Sequence, residues 1–280
     1  MTDSPAMQVS KIAAFSFGAT GGNPAGVALC DRIPAPDVMQ RIAADIGFSE
    51  TAFAAPEGGK WRVRYFAPEA EVDFCGHATI ALGAALAMRE GDGLFALLIN
   101  GGEISVEAQA GSAIHAALQS PPTSSRAAPG ELLASALALF SLASDDLDPR
   151  IPPAIANGGV DHLVLALRER GRLAGMRYDL GEGRTLMNSA KLVTISLVQA
   201  ETAQRFHARN PFASGGVYED PATGAAAAAL AGYLRDIGWP HGGSIEVIQG
   251  EDMNTPSRLL VTLTDQPGSS VRVSGTARLM

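Results

Sequence analysis

Glu71-Val72-Asp73-Phe74-Cys75-Gly76-His77-Ala78-Thr79, with the uncharged run to Met88 behind it, has a near copy later in the chain. The copy is Glu219-Asp220-Pro221-Ala222-Thr223-Gly224, followed by Ala225-Ala226-Ala227-Ala228-Ala229-Leu230. Each version sets carboxylates and a glycine directly before a helix of small residues. Gly76 and Gly224 stand 148 positions apart, about half of the 280 residues, which predicts two similar halves with one central helix each. The expected fold class is α+β: two pseudo-symmetric halves, each a curved and mostly antiparallel sheet wrapped around its helix. The halves fall at 1–120, with a helix over 76–90, and 121–280, with a helix over 224–238; the last strand is free to pack on the first half. A helix N-terminus carries unpaired N–H groups and about half a positive charge, so two such ends facing each other would hold a small anionic substrate.

Composition narrows the class of partner. Apolar residues make up 46% and charged residues 18%, which is globular rather than disordered, and 31 glycines with 17 prolines imply many turns. A net charge of −8 without any Lys/Arg cluster argues against nucleic acid and anionic membrane as partners. Only Cys30 and Cys75 are present, so a disulfide framework is not expected. The start lacks a basic segment followed by an apolar one, and no uncharged helical run reaches the roughly 20 residues a bilayer needs. The expected setting is cytoplasmic.

Outward from the two quoted stretches, strands are expected at 9–15, 27–30, 51–55, 61–66, 94–99, 104–108 and 113–118. Asp37 to Ile46 carries apolar residues at Val38, Ile42, Ala43 and Ile46, a spacing that predicts an amphipathic helix closed by Gly47. Ser120 to Gly130 is rich in Pro, Ser and Ala and reads as a linker near mid-chain. After it come a helix over 131–142 and strands at 155–157, 162–167, 192–197, 245–249, 258–263 and 271–276.

Familiar chemical motifs are absent. Gly18-Ala19-Thr20-Gly21-Gly22 is followed by Asn23-Pro24 and a strand instead of a helix, so it offers no phosphate-binding helix start. The chain has no G-K-[ST], G-x-S-x-G or H-E-x-x-H, and its five histidines are scattered, so neither a metal nor an organic cofactor is expected. Glu50, in Ser49-Glu50-Thr51-Ala52-Phe53, reads either as an exposed loop acid or as a proton carrier whose apolar neighbours raise its pKa. His77, in the first turn of a buried helix, reads as a functional neutral imidazole, because the positive helix end disfavours its charged form. Cys75 is either a thiolate at a helix N-terminus or a small buried filler. Asp220 can cap the second helix and still serve chemistry.

At Gly22-Asn23-Pro24-Ala25-Gly26-Val27, Ser49 to Phe53, Asp73 to Thr79 and Glu219 to Gly224, the sequence resembles the phenazine-biosynthesis PhzF-like family. The resemblance implies the diaminopimelate epimerase-like fold, a site in the cleft between two halves, and a homodimer. It makes Glu50 the catalytic acid/base, with His77 and Asp220 as the other catalytic polar positions. Asn23, Cys75, Gly76, Thr223, Gly224 and Ala225 are the expected substrate-binding positions. In the phenazine enzyme a serine follows the Thr-Gly step where Ala225 stands here, so a related proton shift is expected in place of that isomerisation. Cys75-Gly76-His77 also resembles the first half-site of proline racemases, and Thr223 is similar to the substitution found in hydroxyproline dehydratases. The leading expectation is an isomerase or epimerase working by general acid/base chemistry on a small carboxylate. The alternatives are a Cys75-dependent racemase or dehydratase of an amino or imino acid, and a non-catalytic protein that binds an anion or a protein partner.

Overall fold

The computed structural model describes residues 7–280. They form two compact units: the first runs through Gln119 and recovers Ser274–Met280, and the second is Ser120–Val273. No helix among the described residues is long and apolar enough to cross a membrane.

The first unit opens with an antiparallel pair, β1 (Ser10–Ser16) and β2 (Asn23–Leu29). Helix α1 (Pro36–Ile46) then leads to β3 (Thr51–Glu57), parallel to β2. Pro36 fits the first turn of α1, where its missing N–H is no loss, and Gly47 closes the helix by donating to the Ala43 carbonyl. Met39 and Ala43 bury that helix against Phe53 and Phe66. β3 turns back into β4 (Lys60–Phe66), which pairs with the short β5 (Glu71–Val72). Helix α2 (Gly76–Glu90) follows, then β6 (Gly93–Ile99), β7 (Gly102–Ala110) and β8 (Ile114–Gln119) as a meander, with β6 parallel to β4.

The second unit repeats this order after two additions, β9 (Ser124–Ala127) and α3 (Gly130–Leu139). Its hairpin is β10 (Ala154–Asn157) with β11 (Asp161–Ala166). Two helices, α4 (Arg170–Ala174) and α5 (Leu180–Ser189), lead to β12 (Thr194–Ala200), parallel to β11. β13 (Arg205–Phe212) and the short β14 (Val217–Asp220) precede α6 (Gly224–Asp236). After α6 come β15 (Ser244–Gln249), parallel to β13, and β16 (Ser257–Thr262). β17 (Arg272–Leu279) then returns to the first unit, where it pairs with β1 and with β8. This closes the strands of that unit into a ring around α2.

The small residues of α2 and α6 follow from that enclosure. Residues His77 to Ala87 of α2 are all buried, and the helix packs on β1, β2, β7 and β8. A helix surrounded on every side has no polar face to show. A Cβ on Gly83 would stand 2.6 Å from Val106 of β7, and one on Gly232 of α6 would run into Thr123. Only glycine lets β7 and the segment at Thr123 approach the helices so closely at these points. Leu163, Leu165 and Leu167 face a second core made with Phe140, Leu173 and Met187 from the helices α3 to α5. The alternate residues of β11, His162, Val164 and Ala166, point the other way, as a pleated strand requires.

The expected linker is where the structure departs most from composition. Ser124–Ala127 is a strand that pairs with β10, Ala127 opposite Ala154 and Ser124 opposite Asn157. Its partner lies some thirty residues on, so no local signal could reveal the pairing. Asn23-Pro24 likewise begins β2 instead of ending a turn, with Asn23 opposite Ala14. β13 and α5 had no distinct pattern in the sequence.

His162 is fully buried, its Nδ1 2.7 Å from the Thr194 hydroxyl and its Nε2 without a partner. Burial pushes its pKa down to about 4, outweighing the opposite pull of Asp161. The folded protein therefore binds fewer protons than the unfolded chain between about pH 6.5 and 4. Stability should fall as pH drops through that window, by about 3 kcal/mol in total, and level off below it. Urea unfolding across pH 4 to 7 should show this slope, and His162→Asn should flatten it.

Candidate active site

Two polar centres form where the strands deliver the chain to the starts of α2 and α6. In the first unit, Glu50 is the last residue before β3, and Gly26 of β2 donates its N–H to the Glu50 carbonyl at 3.2 Å. The side chain of Glu50 is 14% exposed, and its Oε2 lies 3.4 Å from Nε2 of His77, itself 7% exposed. Ser49 Oγ stands 3.3 Å from the same nitrogen, and Cys75 Sγ stands 3.3 Å from Nδ1. The imidazole thus has a hydroxyl and a carboxylate at one nitrogen and a thiol at the other. A neutral ring donates from one nitrogen and accepts at the other, so it can hand a proton between the two sides.

Cys75 is the N-cap of α2, in an extended conformation and without a side-chain cap hydrogen bond. The first helical turn bond runs from Thr79 N to the Cys75 carbonyl, so the N–H groups of Gly76, His77 and Ala78 come before the ladder begins. A Cβ on Gly76 would meet nothing within 4 Å, so the helix start opens on free space. The same Cys75 carbonyl accepts a bond from the Thr79 hydroxyl at 2.7 Å, which leaves Thr79 to accept from Tyr65 at 2.7 Å. Burial holds the Tyr65 phenol far above its ordinary pKa, which keeps it a donor.

In the second unit, Thr223 is the N-cap of α6 and makes no side-chain bond to the helix. Asp220 accepts the Thr223 hydroxyl at Oδ2, 2.6 Å away. Asp220 closes β14 opposite Asn210 of β13. Gln249 adds a partner no motif pointed to: its Oε1 accepts from Thr223 N at 3.1 Å, and its Nε2 donates to the Asp220 carbonyl at 2.6 Å.

The repeat extends to the support behind each centre. Arg64 of β4 grips Glu71 of β5 with two bonds, and Arg209 of β13 grips Glu219 of β14 in the same way. Arg64 holds the Glu71 carboxyl below the usual carboxylate range. Each clip ties down the short strand just before a helix start, so the two glutamates quoted first in the sequence are structural anchors. The chemistry-bearing residues do not repeat. Glu50 stands where the second unit has Val193 before β12, His77 where it has Ala225, and Cys75 where it has Thr223.

Of the expected residues, Glu50, Cys75, Gly76 and His77 come together at the start of α2, and Asp220, Thr223 and Gly224 at the start of α6. Ala225 lies in the first turn of α6. Asn23 is buried in β2. Among the described residues, a Glu50 oxygen, the Cys75 sulfur and a His77 nitrogen form the one trio of metal-ligand atoms, within 4.8 Å of one another. The donor types would suit a zinc-like ion, but the positive helix end beside them opposes a cation. Ser49, Tyr65, Thr79 and Gln249 were not legible as site residues, because nothing near them in the sequence shows what they touch.

The profile of the phenazine biosynthesis-like family PhzC-PhzF matches residues 12–280. A protein of Deinococcus radiodurans named an uncharacterized isomerase is 33% identical over 271 residues, 92% of this chain and 87% of the relative. The trans-2,3-dihydro-3-hydroxyanthranilate isomerase of Pseudomonas aeruginosa is 32% identical over 275 residues, 94% of each chain. A PhzF-family phenazine biosynthesis protein of Bacillus anthracis superposes with a TM-score of 0.86 at 22% identity, covering 98% of this chain and 97% of that one. These similarities define the class first: an isomerase of epimerase-like fold. The chain belongs to the phenazine biosynthesis-like PhzC-PhzF family.

Proposed function

We propose that the protein catalyses a proton shift on a small carboxylate without metal or organic cofactor. Glu50 takes a proton from a carbon next to the carboxylate or carbonyl and returns it elsewhere on the substrate. The observation that carries this reading is the Glu50 carboxyl, largely shielded from water and 3.4 Å from His77 at the open start of α2. The N–H groups that precede the helix ladder supply positive potential for the enolate-like charge, and His77 donates to it or relays the proton. Asp220, held by Thr223 and Gln249, serves as the polar group of the second unit.

A thermal-shift screen of carboxylates, amino acids and cyclic acids, followed by deuterium exchange on the stabilising compounds, tests the reading. A set of stabilising carboxylates, none exchanging hydrogen in deuterated buffer, would overturn it. The substrate of the Pseudomonas aeruginosa relative belongs in the screen. It is expected to turn over poorly, because Ala225 offers no hydroxyl.

The second reading, a thiol-dependent racemase or dehydratase, draws on the 3.3 Å approach of Cys75 Sγ to His77. Cys75→Ser separates the two. The Glu50 mechanism predicts a loss in kcat/KM below about tenfold, and a thiol mechanism predicts a collapse of several orders of magnitude.

A further inference from the structure

Gln249 is 1% exposed at the end of β15, where it pairs with Ser257 of β16 and Ala208 of β13. The chain then turns sharply at Gly250, whose φ of 75° and lack of a side chain are both required. A Cβ there would lie 2.9 Å from the Pro221 carbonyl and closer still to that of Thr255. This turn brings the Gln249 amide against the segment between Asp220 and Thr223. Both ends of the amide bond that segment: Oε1 accepts from Thr223 N, and Nε2 donates to the Asp220 carbonyl and, at 3.0 Å, to the Thr223 hydroxyl.

The direction of these bonds has a consequence for Asp220. The Thr223 oxygen already accepts from an N–H, so its own proton points to Asp220 Oδ2 at 2.6 Å. Amide, hydroxyl and carboxylate form a string with one polarity, which favours the ionised acid. We infer that Gln249 is a positioning residue for Asp220, fixing the Thr223 hydroxyl as a donor so that the carboxylate is held ionised and in one orientation. This deepens the proposed function, since it rests on Asp220 being a site residue. Among charged groups on neighbouring elements, Arg209 pairs with Glu219, Arg170 with Glu251 and Asp252, and His207 with Glu201 and Glu251.

The test needs no substrate, so its failure is distinct from a failure of the isomerase reading. The Asp220 carboxyl carbon is followed by NMR through a pH titration, with Asp220→Asn to assign it. In the wild-type protein the Gln249 side-chain amide resonances should titrate with the same midpoint as Asp220. Gln249→Met and Thr223→Val should each move the Asp220 midpoint upward by about one pH unit, because the charged form loses a fixed donor. Thr223→Ser, which keeps the hydroxyl, should leave it in place, and the double variant should shift no further than either single one. A residue that merely fills space would lower stability without moving the midpoint. An unmoved midpoint in Gln249→Met overturns the inference. So does a wild-type Gln249 amide that ignores the titration of Asp220, a measurement that holds even if the variant does not fold.

Discussion

Glu50→Gln is expected to cut solvent deuterium uptake into a turned-over carboxylate by about 10²- to 10⁴-fold, with the fold and thermal stability kept. The substitution preserves size and one hydrogen-bonding oxygen but cannot cycle a proton. The environment supports so large an effect. The carboxyl, next to the buried start of β3 in the chain, is mostly out of water, with an imidazole at 3.4 Å that belongs to the first turn of α2. The equivalent position of the second unit, before β12, is Val193, so the repeat does not duplicate this base. His77→Asn should cost less than Glu50→Gln, since it leaves the base and removes only its partner. Exchange that proceeds at the wild-type rate in Glu50→Gln would end the general-base assignment. A simultaneous collapse in Cys75→Ser would then move the chemistry to the thiol.

Arg209→Met is expected to destabilise the protein by about 3–5 kcal/mol, read as a lower urea midpoint. Arg209 and Glu219 side chains are 9% and 3% exposed, and Arg209 also donates to the Ala174 carbonyl at 2.8 Å. Removing the guanidinium strands a carboxylate and a carbonyl away from water. The equivalent clip of the first unit gives the contrast: Arg64 and Glu71 are 19% and 26% exposed, so water reaches both partners. Arg64→Met should therefore cost only about 1 kcal/mol. Pairing Arg209→Met with Glu219→Leu should recover most of the loss, since a well-filled apolar pair replaces the stranded charge. Equal losses from the two clips would refute burial as the cause of the difference.

The amino-acid sequence by itself determined the two central helices. An uncharged run of alanine, glycine and leucine behind an acidic, glycine-bearing segment has one stable outcome, a helix buried on all sides, and its recurrence 148 positions later marks the second half. It also determined the neighbourhood of Cys75, Gly76 and His77, because a cap, a first turn and the free N–H groups of a helix are local in the chain. The pairing of β9 with β10, the Arg64 and Arg209 clips, the approach of Glu50 to His77 and the bonds from Gln249 were decided only in three dimensions. Each joins groups 7 or more residues apart, up to 33 for Ser124 and Asn157, and the partner of a buried polar group is chosen by which strands lie side by side. Asp220 shows the division most clearly. Its place just before a helix start is local in the chain, but only the folded chain could bring Gln249 to the segment that holds it and the Thr223 hydroxyl.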